Sequence, residues 1–216
     1  MSMTTFTPMH SIIPEGEKGA FKISHFEIGK PTLRMALGKE PHITPGKYVQ
    51  LVQMDGNFFN RIWMSDTDNE QSTNRGVVLN AKGDVLIAGL GIGMILLPIM
   101  RKPEVKSVTV IEKYQEVFDL VVPHLKGAIS KAMAERPGDP SFSVEVADIY
   151  TWEPPKGKKW DCIYFDIWGD QSTDCLKEMT KLKRRFARRK REGGWMGCWR
   201  EGHLRLSLAR ERHSGW

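Results

Sequence analysis

Cysteine is scarce in this chain. Its 216 residues include only Cys162, Cys175 and Cys198, in no CxxC pattern. So small and odd a set favours reduced thiols in a cytoplasmic setting over a disulfide framework or a zinc site. Long apolar runs are missing as well. The longest, residues 85–88 and 94–100, are too short and broken to span a bilayer, so no membrane is expected as a partner. The first ten residues lack a basic region followed by an apolar run, so no secretory leader is expected. There is no internal repeat and no low-complexity tract. His203 and His213 stand apart from any ligand-spaced set, and no metal is expected.

The remainder is ordinary for a globular fold, with 40% hydrophobic and 27% charged residues. The length suits one sizeable domain, or one with a small appendage. The net charge of +6 is unevenly placed: residues 181–212 hold twelve Lys or Arg against three Glu. Such a block is either a solvated helix face with a basic tail or a surface for nucleic acid or an acidic partner. No aromatic-interleaved or base-reading motif accompanies it, which favours the solvated face.

Periodicity divides the chain near residue 80. Residues 1–80 read as a small β-rich region. Residues 21–28 alternate loosely, and the strand-like runs 48–54 and 58–64 flank Asp55-Gly56-Asn57, a hairpin turn sequence. Residues 65–75 are polar and read as a loop or a short capped helix. Residues 81–216 alternate strands with helices: strands at 85–88, 107–111, 142–146, 161–165 and 194–199, and helices at 93–101, 114–134 and 172–191. Pro98 shortens the first helix or removes one of its hydrogen bonds, and Pro123 kinks the second. The expected fold is α/β: a Rossmann-like, doubly wound, mostly parallel sheet with an N-terminal β-hairpin region.

The chemistry concentrates at strand ends. Gly89-Leu90-Gly91-Ile92-Gly93 lies between a strand and a helix. Glycines let a backbone turn tightly and approach a ligand, and the following helix N-terminus is expected to offer free N–H groups. Glu112 follows Gly93 by nineteen residues at the tip of the next strand, where a carboxylate accepts hydrogen bonds from both ribose hydroxyls. Residue 94 is Met94, where the dinucleotide loop has its third glycine; here that glycine falls one residue early.

This spacing resembles the class I S-adenosylmethionine-dependent methyltransferases. The hairpin with Leu51 to Gly56, the acidic segment with Asp68 and Glu70, and the Gly-loop strand look like the spermidine-synthase-like branch. The resemblance covers roughly residues 45–200. It implies that Gly89, Gly91, Gly93 and Glu112 hold the donor, with Asp148 on the adenine amino group and Ile149 against the ring. It places Asp166 near the donor's methionyl end and the acceptor, where Asp166 or Asp170 orients the acceptor or takes its proton. Where aminopropyltransferases carry a DxxD pair, this chain has Asp166 and Asp170, one residue wider, and its earlier acidic segment has neither tyrosine nor histidine.

The implied activity is methyl transfer from S-adenosylmethionine to an unidentified acceptor. The alternatives are aminopropyl transfer from the decarboxylated donor, and a non-catalytic nucleotide-binding protein that contacts nucleic acid through residues 181–212. Family members close the sheet with two further strands. Here the sheet is trimmed, is completed by a partner such as a second copy, or the chain ends early. Trp195, Trp199 and Trp216 either pack in the core or line an acceptor pocket.

Overall fold

The computed structural model describes residues 5–30, 44–54, 60–169 and 172–214. The hairpin turn at 55–57, Asp170 and Trp216 lie outside the described residues. An antiparallel sheet comes first, in the order β1 (Gly16–Lys18), β2 (Phe21–Ile28), β3 (Gly46–Gln53) and β4 (Arg61–Ser65). Phe21 and Ile23 alternate inward on β2, and Val49 and Leu51 do so on β3. The β3–β4 register breaks once: Leu51 pairs with Met64 and Val52 with Ile62, leaving Trp63 as an extra residue on β4. Such a bulge re-aims its side chains. Buried Asp66 then ties the N-terminal segment down, accepting the N–H groups of Met9 at 2.8 Å and Val49 at 2.7 Å.

The second sheet is parallel and five-stranded, in the order β7-β6-β5-β8-β9. Its strands are β5 (Gly83–Ala88), β6 (Val105–Glu112), β7 (Ser141–Val146), β8 (Trp160–Phe165) and β9 (Lys190–Cys198). The helices are α1 (Asp68–Asn80), α2 (Leu96–Met100), α3 (Gln115–Ala134), α4 (Cys175–Phe186) and α5 (Glu201–Ser214). The Rossmann-like expectation holds. Central β5 is apolar and fully buried from Val85 to Ala88, as a strand covered on both faces must be. On α3, Val117, Val121, Leu125 and Ile129 face the core; on α4, Leu176, Met179, Leu182 and Phe186 do.

Several boundaries differ from the sequence reading. Of the two readings of 65–75, the helix is the one formed, but it begins at Asp68 and runs on for thirteen residues as α1. Although α1 precedes residue 80, its Asn74 accepts the Tyr164 hydroxyl of β8 at 3.0 Å, so it packs on the parallel sheet. The helix expected over 93–101 shrinks to α2. Gly93 has φ 71°, which a helix does not accept, and it forms a turn by donating to Leu90 O at 2.9 Å. Pro98 then falls in the first turn of α2, where a missing N–H costs nothing. Helix α4 ends at Phe186 rather than continuing to 191, because Arg191 belongs to β9 and reaches Asp84 at 2.8 Å and Asp161 at 3.0 Å. None of the described helices is long and apolar enough to cross a membrane.

Candidate functional site

The order of the parallel strands reverses between β5 and β8, and the carboxyl ends on either side of that point open a crevice. Backbone hydrogen bonds fix these ends to one another. Gly89 donates to Ile111 O, Asp166 to Ala88 O and Ala147 to Glu112 O, each at 2.8 Å, and Trp199 donates to Phe165 O at 2.9 Å. Above them lies a cavity of about 230 Å³, the size of a small molecule rather than a polymer.

The three loop glycines have different reasons to be glycine. All have positive φ. A Cβ on Gly89 would strike the Asp166 carbonyl, and one on Gly93 would strike Leu125 of α3. Both are held by packing, but Gly89 also lines the cavity whereas Gly93 does not. Gly91 does line it, and a Cβ there would meet the sulfur of Met64. The free amides expected at this loop are mostly engaged: Leu90 N–H donates to Glu112 Oε2 at 2.8 Å and Ile92 N–H to Met64 Sδ at 3.2 Å. With only five residues, α2 is also too short to serve as an anion site.

Glu112 is buried, and its other oxygen accepts Tyr114 N–H at 2.9 Å. Burial raises its carboxyl above the ordinary range, against the pull of the Tyr114 and Leu90 amides. Asp148 lines the cavity at the β7 end. It accepts Tyr150 N–H at 2.9 Å and pairs with Lys113 at 3.1 Å. Burial raises its carboxyl, but the Tyr150 amide and Lys113 outweigh that and leave it below the usual range. Asp148 is thus a turn-forming residue whose carboxylate also faces the site. Ile149 is buried against the cavity. Its carbonyl accepts Arg185 Nη1, while Arg185 Nη2 bonds Trp152 O. The basic block is therefore not simply solvated: Arg185 clamps the 148–152 turn, and Lys183 holds Glu201 at 2.8 Å.

Asp166 lines the cavity where β8 ends. Burial, and after it the charge of Glu70, push its carboxyl up to about 8. Burial likewise lifts Glu70 to about 7, with Arg200 opposing. The topology brings these groups together. Only residues 81–82 separate α1 from the start of β5, so α1 runs antiparallel to the strands. Thirteen residues of helix and six of strand each cover about 20 Å, which raises the first turn of α1 to the strand tips. Arg200 follows β9 with φ 52°, the one non-glycine residue of positive φ among those described. Its Nε is buried with no hydrogen-bond partner among the described residues. Strained backbone beside a cluster of carboxylates is typical of sites.

Sequence reasoning missed the roof of the cavity. Phe21, Leu51, Trp63 and Met64 of the antiparallel sheet close over it, and the β4 bulge presents Trp63 and Met64 together. The extra residue against β3 is a matter of pairing register, which no short-range pattern carries. Trp168 and Tyr150 form one wall, both hydrogen-bonded to Glu178 Oε2 at 3.0 Å. Trp199 is packed instead, its indole N–H on Thr73 Oγ1 at 3.1 Å, and Trp195 stacks on Tyr164. Neither lines this cavity.

No family model and no curated protein matches the chain. Among solved structures, it is similar to the O-methyltransferase TomG of Streptomyces achromogenes, involved in tomaymycin synthesis, at 15% identity and TM-score 0.38, over 59% of this chain and 52% of that one. An S-adenosylmethionine-dependent methyltransferase of Clostridium acetobutylicum matches at 20% identity and TM-score 0.38, over 56% and 44%. The S-adenosylmethionine-dependent methyltransferase SibL matches at 24% identity and TM-score 0.38, over 54% and 30%. The chain thus spans between 30% and 52% of the lengths of these three.

Proposed function

We propose that the cavity binds S-adenosylmethionine and that the chain is a methyltransferase whose acceptor has a proton to lose. The observation that carries this reading is Glu112, a buried carboxylate at the tip of β6 hydrogen-bonded to the glycine loop, with the cavity directly above both. The residues present fit an adenosyl ligand. Glu112 would hold the ribose, and Ile149 and Asp148 the adenine, with Tyr150 and Trp168 along the wall. The donor supplies an electrophilic methyl group on a cationic sulfur. The chain supplies alignment, which removes much of such a barrier. Asp166, with its carboxyl near 8, suits a base that works at neutral pH, and Glu70 stands behind it. Asp170 remains a second candidate for that role.

Methyl transfer is preferred to aminopropyl transfer because the wider Asp166–Asp170 spacing and the lack of tyrosine and histidine before the loop depart from the aminopropyltransferase pattern. The spermidine-synthase-like branch rests on the N-terminal hairpin and the acidic segment alone. Three free thiols support a cytoplasmic setting.

The test is calorimetry with S-adenosylmethionine, S-adenosylhomocysteine, methylthioadenosine and NAD. Adenosyl ligands are expected to bind, and at 100 times the dissociation constant to add about 2.7 kcal/mol of stability. Tighter binding of NAD than of all three would overturn the reading.

A further inference from the structure

The amides of the glycine loop differ in what they donate to. Gly89 donates to Ile111 O, Gly93 to Leu90 O, and Leu90 to Glu112. These acceptors are oxygens in strand, turn or buried carboxylate, and none can leave without unmaking the loop. Ile92 differs: its N–H points at the thioether of Met64 at 3.2 Å. A thioether sulfur is a weak acceptor on a flexible, unbranched side chain. It reaches the loop because Met64 pairs across the sheet with inward-facing Leu51, and it fills the space in front of Gly91 that a Cβ would need.

The strand order gives this contact a meaning for the ligand. Asp148 stands at the end of β7, Glu112 at the end of β6, the loop at the end of β5, and Asp166 at the end of β8. A nucleoside with its base over Asp148 and its ribose on Glu112 directs its 5′ substituent over Gly91 toward Asp166. The Met64 side chain lies on that path.

We infer that Met64 is a displaceable stopper that sets which 5′ substituent the site accepts. In the free protein its sulfur holds the Ile92 amide. An adenosyl thioether that carries an amino-acid carboxylate displaces it and gives Ile92 N–H a charged oxygen, the stronger acceptor. A truncated adenosyl thioether leaves Met64 in place. This inference rests on the donor reading above, but it assigns a new residue to the discrimination.

The test uses the full chain with methyl-13C-labelled methionine, and Met64→Leu to assign the Met64 signal. S-adenosylhomocysteine is expected to shift that signal, and methylthioadenosine to leave it in place. In calorimetry, Met64→Ala is expected to strengthen S-adenosylhomocysteine by about tenfold and to change methylthioadenosine by no more than about twofold. Met64→Leu keeps the volume and loses the sulfur, so it moves the ratio the same way even if the alanine variant is poorly folded. An unchanged ratio in the folded variants, with a Met64 signal indifferent to both ligands, overturns the assignment while leaving the donor reading intact. Failure of every adenosyl ligand to bind parent and variants overturns the donor reading and this inference with it.

Discussion

The carboxylate of Glu112 accepts the backbone N–H of Leu90 at 2.8 Å, which ties the tip of β6 to the glycine loop after β5. Glu112 also accepts the Tyr114 amide at 2.9 Å, so removing its carboxylate leaves the Leu90 and Tyr114 amides without their acceptor. Glu112→Ala is therefore expected to cost about 1–3 kcal/mol of stability without ligand, the range for buried groups left unpaired. Glu112→Gln keeps an acceptor oxygen and is expected to cost less. Both should weaken adenosyl ligands. Denaturant unfolding followed by calorimetry separates the two effects. An alanine variant as stable as the parent would show that the Leu90 contact contributes nothing.

The basic block makes a second prediction. The solvated-face reading of residues 181–212 implies that Arg184, Arg185, Arg188 and Arg189 lie away from the ligand. Arg185 departs from that view through its bonds to Ile149 O and Trp152 O. Arg185→Ala alone is expected to weaken adenosyl-ligand binding by loosening the 148–152 turn, while Arg184→Ala and Arg188→Ala leave it within about twofold. Equal calorimetric affinities in all three variants would return Arg185 to the surface.

These two cases show what was legible. Apolar alternation located all five parallel strands to within a few residues, and the stripe from Leu176 to Phe186 placed α4, because burial imposes both periods. Asp166 was recognisable as a strand-end carboxylate. Glu70 was legible as part of the acidic segment before the Gly-loop strand, but its place beside Asp166 was not, since the two lie 96 positions apart. The clamp by Arg185 and the roof by Trp63 and Met64 arise from tertiary register. In the sequence, an arginine with a carbonyl partner looks the same as one in water.

A third prediction follows from the raised carboxyls. Asp166 titrates near 8 and Glu70 near 7, against ordinary values near 4 in the unfolded chain. The folded state therefore keeps protons that the unfolded state releases between pH about 4 and about 8. The stability this contributes is fully present below pH about 4 and is lost as pH rises through the folded values. Asp166→Asn and Glu70→Gln each remove one group's share of the dependence. Denaturant unfolding at pH 5 and pH 9 should show the parent losing stability relative to both variants. A constant difference across that range would mean that the two groups ionise normally.

The last prediction concerns turnover, and it distinguishes the group that takes the proton from the one that tunes it. Asp166 lines the cavity and Glu70 does not. Asp166→Asn is expected to keep donor affinity within about tenfold, since ribose and base are held elsewhere. It should lower turnover on any acceptor by about a hundredfold or more, the scale of a lost general base. Asp170→Asn should be milder. Glu70→Gln should act on the pH profile instead. The charge of Glu70 raises the Asp166 carboxyl, so removing it lets Asp166 ionise at lower pH. The limb on which turnover rises with pH should move to the acid side, with the plateau rate largely kept. Measured at saturating donor, a Glu70→Gln limb that stays in place while the plateau falls would make Glu70 the proton acceptor. An Asp166→Asn enzyme as fast as the parent would pass the role from Asp166 to Glu70 or Asp170.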